Sequence, residues 1–113
     1  MSPDALYHID DVGSATVVHF HYSRVADEAR TLLYDLVDSQ GKTHIVLDLT
    51  SVVVISSVAL GILVTLQRKL VAAGGKLAIY GLEDNLRYLF QITQLDQVLT
   101  LCDTREQALA KIA

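Results

Sequence analysis

Ser56 and Ser57 stand together where the β-branched run Val52 to Ile55 gives way to a helical pattern. A hydroxyl at such a junction can accept a hydrogen bond from the first free N–H groups of the helix. The same place suits a phosphate. A helix N-terminus carries unpaired donors and roughly half a positive charge. A phosphoryl group bringing about −1.5 to −2 charges is tolerated there, and it changes what the surface can bind. The residues alone leave capping and modification both open.

His8, His19 and His21 form a second group. Histidines at i and i+2 of a strand share a face and have the spacing to ligate zinc or copper. Asp10 is the one obvious carboxylate beside them and no cysteine is near. Solvent-facing histidines are the favoured reading, so neither a metal nor any other cofactor is expected. Patterns for catalysis are thin. Gly-x-Ser-x-Gly is absent. Gly74-Gly75 ends a helix rather than opening one, and no Gly-Lys-Ser/Thr follows. Asp48 is embedded in an apolar strand. Cys102 is the single cysteine and has no evident activating neighbour, so it reads as a small apolar residue. No catalytic residue is assigned, and the chain reads as a protein binder rather than an enzyme.

The bulk properties narrow the classes. A net charge of −4 and a pI near 5.4 argue against a nucleic-acid binder, which needs a basic face. No run approaches the roughly 18 apolar residues of a membrane span. MSPDALYHID lacks the basic and apolar regions of a signal peptide. One cysteine excludes an internal disulfide and suits a reducing cytoplasm. The 113 residues fit one domain, residues 1–113.

The elements that must position these groups follow from periodicity. Runs 5–11 and 14–22 flank Val12-Gly13 as a hairpin. Tyr7, Ile9, Val18, Phe20 and Tyr22 share its core face, with His8, Asp10, His19 and His21 opposite. Residues 25–39 repeat as a helix, 44–49 as a buried strand, and 52–55 as a further extended piece. Residues 57–73 carry Ala59, Leu63, Leu66, Leu70 and Ala73 on one face and stop at Gly74-Gly75. A strand at 76–80, a helix at 83–93 and a strand at 98–101 follow. Asp103-Thr-Arg-Glu106 has the form of a capping box opening a last helix through Ile112. The expected fold is α/β: a mainly parallel or mixed sheet of four or five strands, about four helices and an N-terminal β-hairpin.

His44-Ile-Val-Leu-Asp-Leu-Thr-Ser-Val-Val-Val-Ile-Ser-Ser-Val-Ala-Leu-Gly61 resembles the strand–loop–helix signature of the STAS family of anti-sigma factor antagonists. Ala72-Ala-Gly-Gly-Lys-Leu-Ala-Ile-Tyr-Gly-Leu82 is similar to the segment that follows it. Arg87-Tyr-Leu-Phe-Gln-Ile-Thr-Gln-Leu-Asp96 resembles a third, and Asp103 to Ala110 the closing helix. The pieces occur in family order and span roughly residues 14–112. Four departures stand out. Ser56 replaces an Asp, Val58 a second Ser and Ala59 a Gly, and Tyr22-Ser-Arg-Val25 lacks an acidic residue.

The resemblance implies a partner-switching protein of the bacterial cytoplasm that regulates transcription. Its partner would be an anti-sigma factor that is also a GHKL-type serine kinase, with a phosphatase to reset the cycle. Ser57 sits where the family's phosphoacceptor lies, with Ser56 as the alternative. The alternatives for function are a scaffold or constitutive STAS module without phosphorylation, able to self-associate, and a sensor of a small metabolite or lipid. Helical geometry adds a docking surface. The side of helix 57–73 opposite its core stripe carries Ser57, Val58, Gly61, Ile62, Thr65 and Arg68. With Ser56 these are the expected partner-binding residues, and Val58 and Ile62 are expected to be exposed.

Overall fold

The computed structural model describes residues 7–21, 24–25 and 29–113. The chain begins with two antiparallel strands, β1 (Tyr7–Val12) and β2 (Ala15–Phe20). Val12 pairs with Ala15, so the turn is Gly13-Ser14, one residue later than the sequence suggests. Gly13 has φ +63, as the first central position of a type II′ hairpin turn requires. The faces are unaffected. Tyr7 pairs with Phe20 and Ile9 with Val18. Tyr7 packs against the core that buries Val18 and Phe20, whereas Ile9 on the sheet edge stays 40% exposed. Residues 5–6 and Tyr22 lie outside the described residues.

After β3 (Arg24–Val25) the chain enters α1 (Ala29–Asp38). This corrects the helix expected from residue 25. Arg24 and Val25 are extended and pair in parallel with β5 (Val54–Ile55); residues 26–28 lie outside the described set. The remaining elements are β4 (His44–Asp48), α2 (Ser57–Ala72), β6 (Lys76–Tyr80), α3 (Asp84–Ile92), β7 (Thr100–Cys102) and α4 (Arg105–Ile112). A short 3-10 turn, Leu95–Gln97, precedes β7. The main sheet runs β1-β2-β4-β6-β7, antiparallel only between β1 and β2.

Strand alternation divides the core in two. Ile45, Leu47, Leu77 and Ile79 face the cluster that holds Leu33, Leu63, Leu66, Leu70 and Phe90 from the three larger helices. Val17, Val46, Ala78 and Cys102 face the other way and are covered by Ala108 and Ile112 of α4. Each fully buried leucine contributes about 1.5–3 kcal/mol. Lys69 ties α2 to α1, its Nζ 3.0 Å from Asp38 Oδ2 and 5.0 Å from the centre of the Tyr34 ring.

Two expectations about packing need correction. Ile62 is 2% exposed and Ala73 is exposed. Ile62 lies three residues after Ala59 and four before Leu66, so it borders the core stripe. Because α2 meets α1 as well as the sheet, that stripe is wide enough to take it in. The last helix also starts later than a capping box at Asp103 implies. Thr104 is its cap, accepting from the Gln107 N–H at 3.2 Å. The Gln107 side chain reaches back to the Asp103 N–H at 2.9 Å.

Candidate functional site

The strand-to-helix junction separates its two serines. Ser56 has extended backbone, and its Oγ accepts from the Ala59 N–H at 3.1 Å. It is the N-cap of α2. Ser57 is the first helical residue, is exposed, and its hydroxyl makes no hydrogen bond among the described residues. Capping and availability, which the sequence could not apportion, fall to different residues.

Around Ser57 the surface is apolar. Val53, Val54 and Val58 are each about half exposed. Gly61 and Arg68 are exposed and Thr65 is partly so. The expected docking residues therefore lie along one side of α2, apart from buried Ile62. Val53 and Val54 join them at its base. Nothing in their β-branched run marked these two as solvent-facing rather than core. Of residues 22–26, only Arg24 and Val25 are described, and they pair with β5.

The polypeptide reaching Ser57 is anchored by Asp48, the last residue of β4. Its Oδ1 accepts from the Thr50 N–H at 2.9 Å and from the Thr50 hydroxyl. Its Oδ2 lies 2.6 Å from His19 Nδ1, and the Tyr80 phenol lies beside the same carboxylate. Burial is the strongest single influence and acts to raise the Asp48 pKa, but the hydrogen bonds from Thr50, His19 and Tyr80 together hold it below the ordinary carboxylate value. Tyr80 feels the converse. Burial first, then the Asp48 charge, push its phenol up to about 12. Gly81 lets Thr50 sit this close: a Cβ there would lie 2.4 Å from Thr50 Oγ1, and its φ is +83. Burial raises the Cys102 thiol pKa, which leaves it protonated and unreactive at neutral pH.

An exposed serine hydroxyl at a helix N-terminus, with exposed Val53, Val54 and Val58 near it in the chain, has the chemistry to accept a phosphoryl group. The STAS domain model matches residues 7–108, and the chain belongs to the STAS domain family. It is similar to an anti-sigma factor antagonist from Mycobacterium paratuberculosis, at 22% identity over 98% of this chain and 97% of that one, with a TM-score of 0.83. It is also similar to the Bacillus cell-fate determinant SpoIIAA in its phosphorylated form, at 16% identity over 93% and 97%, TM-score 0.67. The murine anion transporter Slc26a9 contains a similar region. There the match is 12% identical and covers 89% of this chain but 18% of the transporter, with a TM-score of 0.69. Identities this low establish shared fold alone. Among the described residues, no helix is long and apolar enough to cross a membrane.

Proposed function

We propose that this STAS domain is an anti-sigma factor antagonist of the cytoplasm, a binding protein rather than an enzyme. Its partner is an anti-sigma factor of the GHKL serine-kinase type, and phosphorylation of Ser57 ends the complex. The observation that carries the reading is the free, exposed Ser57 hydroxyl beside Ser56, whose own hydroxyl is committed to the cap. Ser56 does the capping work of the Asp it replaces without adding a charge. A phosphate on Ser57 would be stabilised by the N-terminus of α2. It would also place about two negative charges among Val53, Val54 and Val58, where a partner's apolar surface would have to lose them to desolvation and repulsion.

Capture of partners from the source organism, followed by mass spectrometry, tests this directly. Recovery of a kinase-type anti-sigma factor, with phosphate found on Ser57 after incubation with that kinase and ATP, is the expected result. Ser57→Ala should abolish labelling. Gly61→Arg and Val58→Glu should abolish capture with little change in melting temperature. Gly61 tolerates the change sterically, since a Cβ there meets nothing within 4 Å. Undiminished capture by both variants removes this surface. The uncharged Ser56 favours a second reading, a constitutive or scaffold STAS module. Stable capture of a partner that never phosphorylates the domain would establish it.

A further inference from the structure

β1 is an edge of the main sheet, paired among the described residues only with β2. The opposite edge, β7, is three residues long. β1 runs for six, in an unbroken register with no bulge. Edge strands are commonly blunted by lysine, proline, a bulge or shortness, and Tyr7-His-Ile-Asp-Asp-Val12 has none of these. Its carboxylates are already partnered: Asp10 by His8 and His19 at 3.0 and 3.2 Å, Asp11 by Lys42 at 3.3 Å. Ile9, at its middle, is 40% exposed. The hairpin also fixes which backbone groups face outward. Its two-residue turn closes on Val12 and Ala15, a pair that exchanges both N–H···O bonds. Such pairs alternate along an antiparallel ladder, so His8, Asp10 and Val12 bond to β2. The N–H and C=O groups of Tyr7, Ile9 and Asp11 therefore point away from the sheet.

We propose that β1 is a self-association edge, on which β1 of a second copy of this chain docks antiparallel about a two-fold axis at Ile9. A bonded ladder requires outward groups opposite outward groups, so the axis must pass through a residue rather than between two. With Ile9 opposite Ile9, Tyr7 lies opposite Asp11 and His8 opposite Asp10, each twice by symmetry. The exposed apolar side chains meet at the centre. Both His8–Asp10 pairs fall at non-hydrogen-bonded positions, where opposed side chains come closest and opposite charges stabilise. The two side chains are 59% and 42% exposed, so they reach across the axis. Moving the axis to Asp10 sets carboxylate against carboxylate. Moving it to His8 sets imidazole against imidazole and leaves three of the described residues paired. The edge is thus complementary to itself in one register, which makes a second copy its occupant, added as a strand through the main chain. This is independent of what Ser57 does.

Sedimentation equilibrium of the full, untagged chain should show a reversible monomer–dimer equilibrium. Ile9→Pro removes both N–H donors at the axis without touching a bond to β2, a change that edge strands accept on their open side. It should weaken dimerisation by about tenfold or more, as the loss of two hydrogen bonds does, and leave the far-ultraviolet circular dichroism unchanged. Ile9→Lys and Ile9→Glu each place like charges on the axis and should dimerise less when alone. Mixed, they should form a one-to-one heterodimer. Ile9→Cys in a glutathione buffer should give a disulfide-linked dimer, since the Cα atoms of a hydrogen-bonded pair lie about 5.5 Å apart. Asp11→Cys, which lies opposite Tyr7, should not. A chain that stays monomeric up to about millimolar concentration overturns the proposal. So does a dimer that Ile9→Pro leaves intact, or a mixture of Ile9→Lys and Ile9→Glu that associates no better than either alone.

Discussion

Replacing Ser56 and Ser57 one at a time by alanine separates the cap from the available hydroxyl. Ser56 accepts a part-buried hydrogen bond from the Ala59 N–H at 3.1 Å, and alanine leaves that donor without its partner. N-cap losses of this kind cost about 0.5–2 kcal/mol, typically about 1. For a chain of this size that lowers the melting temperature by about 3–5 °C. Ser56→Asp keeps an acceptor at the same place and adds a charge favoured by the helix N-terminus, so it should match the parent or exceed it by about 0.3–1 kcal/mol. Ser57→Ala removes an exposed hydroxyl with no partner and puts a strong helix former at the first helical position. Its effect should stay within about 0.5 kcal/mol of zero. Urea titrations followed by circular dichroism resolve these differences. Equal losses from the two alanine variants, or a neutral Ser56→Ala, would refute the division of labour and with it the assignment of Ser57 as the free hydroxyl.

Leu66→Ala should cost about 2–5 kcal/mol in the same titration, because Leu66 is fully buried in the larger core cluster; a change near zero would contradict that packing. Gly75→Ala should cost at least about 2 kcal/mol, since its Cβ would sit 1.8 Å from the Thr43 carbonyl oxygen that accepts the Lys76 N–H at 2.8 Å. Gly61→Ala, with open space around the new Cβ, should instead be neutral or stabilising by up to about 1 kcal/mol. A spectrophotometric titration should find one tyrosine, lost in Tyr80→Phe, ionising near pH 12. Because the fold raises this pKa above its ordinary value of 10.0, the stability it contributes is complete below pH 10 and is lost as the pH climbs toward 12.

The hairpin faces were legible although its turn was misplaced by one residue. Moving a two-residue turn one step along the chain changes the sum of paired residue numbers by two, and side chains alternate with the same period. His8, His19 and His21 therefore share a face in either register. Ile62 was misread for a different reason. A helix stripe has sharp borders only when one surface covers it, and α2 is covered by both the sheet and α1. Arg24 and Val25 form a strand too short for any period to register. The contact between His19 and Asp48 was beyond the sequence altogether. It spans 29 residues and depends on β2 lying beside β4, an arrangement set by packing rather than by local pattern.

That contact gives Asp48 a reach that can be tested by a single substitution. Asp48→Asn keeps an oxygen for the Thr50 N–H and hydroxyl, so the loop toward Ser57 retains its brace. The amide nitrogen then takes the place of Oδ2 and offers hydrogens toward His19 Nδ1, where the wild-type ring presents its own N–H. Two donors cannot share that position. The ring resolves the conflict by giving up its Nδ1 proton, so that Nδ1 accepts from the new amide while Nε2–H donates to Asp10, 3.2 Å away in the parent. Nitrogen-15 shifts of the imidazole report the exchange of tautomers. An unchanged tautomer in Asp48→Asn would show that Asp48 does not set the protonation of His19.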